Sequence, residues 1–167
     1  KADCHTARAT ALFVQLLQQL QKANDLPDYQ MVDGKKVAHI IAKLAGDDCQ
    51  CKKGKKDHLT WIGLVLLGKS KYKHSTRNLQ PLGMCMGKEC KELYDLIMNE
   101  EVVAELNEIL DKGVEFDGVT YMLKRNRWVL STDLHTYWVL TGQTGKDSKQ
   151  FAKKKPCPGC HALGGDL

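Results

Sequence analysis

Ten residues, Val37–Gly46 (VAHIIAKLAG), constrain the fold more than any others in the chain. They are apolar on both sides of an extended backbone, so both sides must be covered. A strand of that kind belongs in the middle of a sheet. It closes on Asp47-Asp48, and the polar, basic segment CQCKKGKKD follows. Leu59–Leu67 (LTWIGLVLL) is then a second buried run, placed as the hairpin partner of the first. Leu79–Met86 (LQPLGMCM) reads as a third strand. Pro81 has no N–H to give a ladder, which weakens that assignment or marks an edge.

Helical periodicity flanks these strands. Thr6 can cap a helix over about Ala7 to Asn24, with Ala9, Leu12, Phe13, Leu16, Leu17 and Leu20 on one stripe. Lys88–Lys112 reads as one long helix lined by Leu93, Leu96, Ile97, Val103, Leu106 and Leu110. Gly113 supplies its stop. Asp117-Gly118 then reads as a tight turn. It leads into a strand, Val119–Leu130, that delivers Asp133. Leu134–Thr141 has helical spacing after it. The expected order is helix, three strands, helix, strand, helix. Three antiparallel strands, a crossover helix and a fourth strand make the front half of an α/β fold with a ribonuclease-H-like mixed sheet, a name that rests on analogy. The expected boundaries are a helical segment over 1–34, the sheet-bearing core over 35–145 and a basic linker with the start of a zinc-binding insertion over 146–167.

The chain's 167 residues and 43% hydrophobic content suit one domain with a real core. There is no apolar run long enough to span a membrane. KADCHTARATALFV lacks the pattern of a signal peptide. The missing initiator Met and the ending HALGGDL point to a fragment. Net charge is +5, with lysines and arginines grouped at 52–56, 69–73, 124–127 and 149–155. Most such groups are solvated loops, but four of them make a polyanion partner plausible. Without a secretory signal, the seven cysteines read as reduced thiols of a cytosolic or nuclear protein.

Asp47 and Asp133 each stand where an expected central strand gives out, the place where open α/β sheets keep their chemistry. Asp47-Asp48 also reads as a polar turn, and Asp133 as a helix cap. On adjacent strands, two unpaired carboxylates repel each other unless a cation lies between them. Mg²⁺ and Mn²⁺ favour such oxygen ligands. Two ions about 3.5–4 Å apart could serve the attacking and leaving oxygens of a phosphodiester. Strand alternation sends Asp47 and Asp48 to opposite faces, so only one can take part. Cys157-Pro158-Gly159-Cys160 has the spacing of half a zinc site, or of a simple turn, and His161 is too close to complete it. Cys49 and Cys51 read as incidental, because hard ions do not seek thiolates. Cys85 and Cys90 read as packing residues. His39, His58, His74 and His135 read as structural or solvent-facing.

Three segments in order carry a resemblance. KLAGDDCQCKKG is similar to the strand-Asp-turn that opens the core of eukaryotic DDE transposases related to the large subunit of the V(D)J recombinase and to Transib elements. LQPLGMCMGKECKEL resembles their strand running into a helix with a Glu near its start. RWVLSTDLHTYWVLTG with KKKPCPGCHA resembles their second catalytic Asp, helix and Cys-x-x-Cys knuckle. The resemblance runs from Val37 to Ala162. It implies Asp47 and Asp133 as catalytic metal carboxylates, and Glu89 either near the metals or as a helix cap. It implies Cys157 and Cys160 as zinc ligands completed by downstream histidines, and a third acid beyond Leu167. The family has Gly where this chain has Asp48, which leaves open which aspartate faces the metal.

The implied function is a nuclear, metal-dependent transposase or recombinase core. It would act on DNA with Mg²⁺ or Mn²⁺ as catalytic ions and Zn²⁺ as a structural ion, and form a homo-oligomer at full length, with no membrane partner. The alternatives are a non-catalytic nucleic-acid-binding domain derived from a mobile element and a general ribonuclease-H-like nuclease.

Overall fold

The computed structural model describes residues 3–51, 57–69, 79–123 and 129–131. Among them the fold is mixed α/β, a curled mixed sheet with three helices. In chain order the elements are β1 (Cys4–Thr6), α1 (Ala9–Lys22), β2 (Tyr29–Val32), β3 (Lys35–Gln50), β4 (His58–Leu67), β5 (Gln80–Met86), α2 (Lys91–Ile97), α3 (Glu100–Lys112), β6 (Val114–Phe116), β7 (Val119–Leu123) and β8 (Val129–Ser131).

The strand expected over Val37–Gly46 is the axis of the sheet, and it is longer than its apolar run. β3 has 16 residues. β2 pairs antiparallel with Lys35–Ala38, while β7 runs parallel along Val37–Ile40. Further on, β4 pairs antiparallel with Ile41–Gln50, and β8 runs parallel along Lys43–Ala45. These ranges overlap, so the antiparallel and parallel neighbours take opposite edges of β3. Between β7 and β8 the chain uses five residues, 124–128, where β3 uses only Ile41 and Ala42. β5 lies outside β4, and β1 outside β5.

Several expectations need correction. Asp47 and Asp48 lie within β3 and not after it, because β4 supplies ladder partners as far as Gln50 opposite His58. The helix expected over Lys88–Lys112 is two helices. Asn99 breaks it: its side chain accepts from the Val102 N–H at 3.0 Å and starts α3. Leu96 and Val103, expected in one stripe, are therefore exposed, while Tyr94, Val102 and Ile109 are buried. Asp117-Gly118 does turn β6 into β7, with both residues at positive φ. Asp33-Gly34, the same signal, turns β2 into β3. Pro81 does not mark an outer edge of the sheet. It is tolerated because β1 pairs only with Gly83–Cys85 and stops short of it.

The cysteines also depart from expectation. Cys4 and Cys85 are directly opposite on β1 and β5, 4.1 Å apart at Cα, and joined as a disulfide. Cys85 is fully buried, as a packing residue would be, but it is not a free thiol. A three-residue strand distant in sequence gives no periodicity from which to read this pairing.

One core lies between the helices and one face of the sheet. Ala38, Ile40, Ala42, Ile62, Leu64 and Leu66 meet the α1 stripe, with Tyr94 and Ile97 of α2 and Leu106 and Ile109 of α3. Thr6 belongs to β1 and does not cap α1, and no side chain next to that helix in sequence does. Glu105 of α3 reaches across instead. One oxygen accepts from the Thr10 N–H at 3.1 Å and the other from Arg8 Nε at 2.8 Å. A carboxylate at the positive end of the helix dipole is favourable there. Arg8, and to a lesser degree the Thr10 and Ala9 backbone amides, hold the Glu105 carboxyl below its usual range.

Two tests follow from these contacts. A carboxylate depressed in the folded state contributes stability above its unfolded pKa, and the contribution disappears as pH falls through the folded value. Glu105→Ala should cost about 1 kcal/mol in denaturant titrations at neutral pH. The deficit against wild type should shrink below the ordinary glutamate range. Reduction of Cys4–Cys85, which closes a loop spanning 81 positions, should cost on the order of 4 kcal/mol. Dithiothreitol and Cys4→Ala should lower the melting temperature alike, and reductant should then leave Cys4→Ala unmoved.

Candidate carboxylate site at the end of β3

Even-numbered residues of β3 face the core and odd-numbered ones face away from the helices. Ala38, Ile40, Ala42 and Gly46 are buried, whereas His39 and Asp47 are exposed. Asp47 therefore stands on the side away from the helices. Its Oδ1 accepts from the Asp48 N–H at 2.8 Å. Asp48 is on the helix side, half-buried, and its Oδ2 is 2.8 Å from Nδ1 of His58. The ladder sets up this contact: Asp48 is opposite Thr60 and Gln50 is opposite His58, so Asp48 and His58 are diagonal neighbours on one face. His58, expected to be structural or solvent-facing, is thus the partner of one member of the acidic pair. Its offset from Asp48 across the CQCKKGKKD turn was the available signal.

His58 is anchored in turn. Its carbonyl accepts from the Gly87 N–H at 2.8 Å, and the fully buried Thr60 donates its hydroxyl to the Gly87 carbonyl at 2.9 Å. Gly87 has φ 146°, and a Cβ there would meet Leu93 at 2.8 Å. The positive φ favours glycine where the chain leaves β5 and passes Leu93 of α2. Two residues later, Glu89 accepts the Tyr94 hydroxyl at 2.7 Å. Tyr94 is almost wholly buried, so Glu89 satisfies a phenol that would otherwise lack water.

Among the described residues, no group of three or more His, Cys, Asp or Glu side chains is arranged to hold a metal ion. Asp47, Asp48 and Glu89 do not form such a cluster by themselves. Asp133, Cys157 and Cys160 lie outside the described residues, as does the helix expected over 134–141. Cys49 and Cys51 are free and exposed. Partial desolvation raises the Cys49 thiol above its ordinary value, and nearby Cys51, Asp48 and Asp47 add to the effect. Hard divalent cations do not seek such a thiol. Of the four basic groups, Lys69 pairs with Asp28 at 2.6 Å, and their other members fall outside the described residues.

Beside the acidic pair, β8 runs parallel to β3 with Val129, Leu130 and Ser131 opposite Lys43, Leu44 and Ala45. Both strands thus point to the same end of the sheet. No family model matches the chain, and no curated protein matches it.

The Glu89–Tyr94 bond gives a direct check. Tyr94→Phe should lower stability by about 1 kcal/mol in chemical denaturation and leave divalent-ion binding by the chain unchanged. A large loss of ion binding in Tyr94→Phe would move Glu89 from helix anchoring into the metal site.

Proposed function

We propose that this chain is the front half of a ribonuclease-H-like core from a metal-dependent DNA transposase or recombinase. One observation carries the reading. Ser131 of β8 lies beside Ala45 of β3, and in sequence Asp133 and Asp47 each follow two residues later. The sheet path supports it as well: β5, β4 and β3 are consecutive antiparallel neighbours, and β8 returns parallel beside β3 after α2 and α3.

In this reading Asp47 offers an exposed carboxylate, with one oxygen fixed by the Asp48 N–H. Hard oxygen donors of this kind fit Mg²⁺ or Mn²⁺. When bound, such ions supply charge stabilisation for the attacking and leaving oxygens of a phosphodiester. Asp47 with Asp133 would bind and orient them, and the third acid that the resemblance implies would lie beyond Leu167. Cys157 and Cys160 supply two of four zinc ligands, the others being downstream histidines. The basic groups hold the DNA backbone, and the protein works in the nucleus as a homo-oligomer. Cleavage of one strand and transfer of the resulting end both follow from this chemistry.

Two carboxylates hold one ion weakly and cannot set two in line with both oxygens. The 167-residue chain should therefore bind DNA in a salt-sensitive way and not nick plasmid. A longer protein that includes the downstream acid should nick in Mg²⁺ or Mn²⁺. Asp47→Ala and Asp133→Ala should each abolish that activity. Salt-sensitive binding without nicking in the longer protein would instead identify a nucleic-acid-binding module. Nicking without preference for terminal repeats would identify a general nuclease.

A further inference from the structure

We propose that Asp48 and His58 form a positioning pair, which holds the end of β3 so that Asp47 alone presents its carboxylate to a divalent cation. The proposal rests on the reading of Asp47 as a metal carboxylate and assigns roles to two residues around it. Adjacent aspartates on a strand face opposite ways, so a cation held by one side chain has no use for the other. Left unpaired, the second carboxylate would still repel its neighbour and draw the cation away. Asp48 is not left so: its Oδ2 meets His58 Nδ1 at 2.8 Å, with each side chain about one-quarter exposed, at 24%. Water is thinned around the contact, which gives it more weight than a pair on open surface.

The coupling to Asp47 runs through Asp48 itself. The residue whose side chain is held by His58 donates its own N–H to Asp47 Oδ1 at 2.8 Å. One contact uses the backbone of Asp48 and the other its side chain, so both depend on where this residue sits. His58 is a firm anchor because its carbonyl is bonded to the Gly87 N–H and the Thr60 hydroxyl holds the Gly87 carbonyl. The chain from Gly87 through His58 and Asp48 to Asp47 is continuous in hydrogen bonds. It leaves Asp47 exposed on the face away from the helices. His58 is not a ligand of that cation, since its ring meets Asp48 on the helix side of the sheet while Asp47 faces the other way.

The test is Mn²⁺ titration of the 167-residue chain, read by the electron paramagnetic resonance signal of free Mn²⁺. Thermal melts of every variant confirm folding. Asp47→Asn should remove the binding. His58→Ala and Asp48→Ala should each weaken it by roughly tenfold, the scale of a lost supporting contact around a metal ligand. The double variant should bind no worse than either single one. His58→Asn, whose amide can occupy the place of Nδ1, should bind within about twofold of wild type if the Asp48 contact is restored. Asp48→Ala that abolishes binding as fully as Asp47→Asn would make Asp48 a ligand and overturn the proposal. Binding that His58→Ala leaves unmoved overturns the positioning role alone. If His58→Ala does not fold, His58→Leu takes its place with the same expectations. Wild-type chain without Mn²⁺ affinity, or Asp47→Asn that keeps it, removes the metal reading itself and the pair's role with it.

Discussion

The backbone of β3 sets the terms for everything else. A sixteen-residue strand carries a row of N–H and C=O groups along each edge, and buried ones must be paired. No single neighbour is long enough. One edge is taken by β2 and then β4, the other by β7 and then β8. The two successions explain why the sheet is mixed. Hairpin connections bring β2 and β4 in antiparallel, and the return through α2 and α3 brings β7 and β8 in parallel, as a crossover must.

The three described helices cover one face of that sheet, and α1 and α3 are fastened to each other as well as to the strands. The α1 stripe buries Phe13, Leu16 and Leu17 almost completely. Yet the first turn of α1 depends on a carboxylate from α3, through Glu105. That contact ties the orientation of two helices to a charge, so packing and electrostatics are not separable here. The Cys4–Cys85 bond is a covalent tie on the strand just before α1. It secures a strand of three residues, too short to hold its place by ladder bonds alone.

Strong periodicity was legible, and so was turn chemistry. The runs at Val37, Leu59 and Leu79 became β3, β4 and β5, and the stripe from Ala9 to Leu20 became α1. Features that depend on distant partners were not. β1 has three residues and exists because β5 offers an edge. The break at Asn99 was visible in principle, as an Asn followed by Glu100 and Glu101 is a helix start, but the apolar spacing across it favoured one helix. Asp33-Gly34 carried the same turn signal as Asp117-Gly118 and was missed because the residues around it, Tyr29–Val32, are all exposed and alternate weakly. At the candidate site, the place of Asp47 near the end of a central strand was legible. The contact of His58 with Asp48 was not, because a diagonal neighbour can be identified only once the register is fixed.

That register also bears on why two aspartates can stand side by side in a strand. Asp has low strand propensity, and two in succession at the end of a central strand would ordinarily end it. β3 continues past both, to Gln50, because each carboxylate has a local reason to stay extended. Asp47 turns back onto the N–H of the next residue, and Asp48 crosses to His58 on the neighbouring strand. The first contact uses a donor on the peptide between them, and the second ties the Asp48 side chain to the neighbouring strand. Pairing on opposite faces thus keeps two negative charges on a buried strand without asking either to share a face with the other. The face that receives Asp47 is the one the described helices leave open, and β8 runs beside it toward the same end of the sheet.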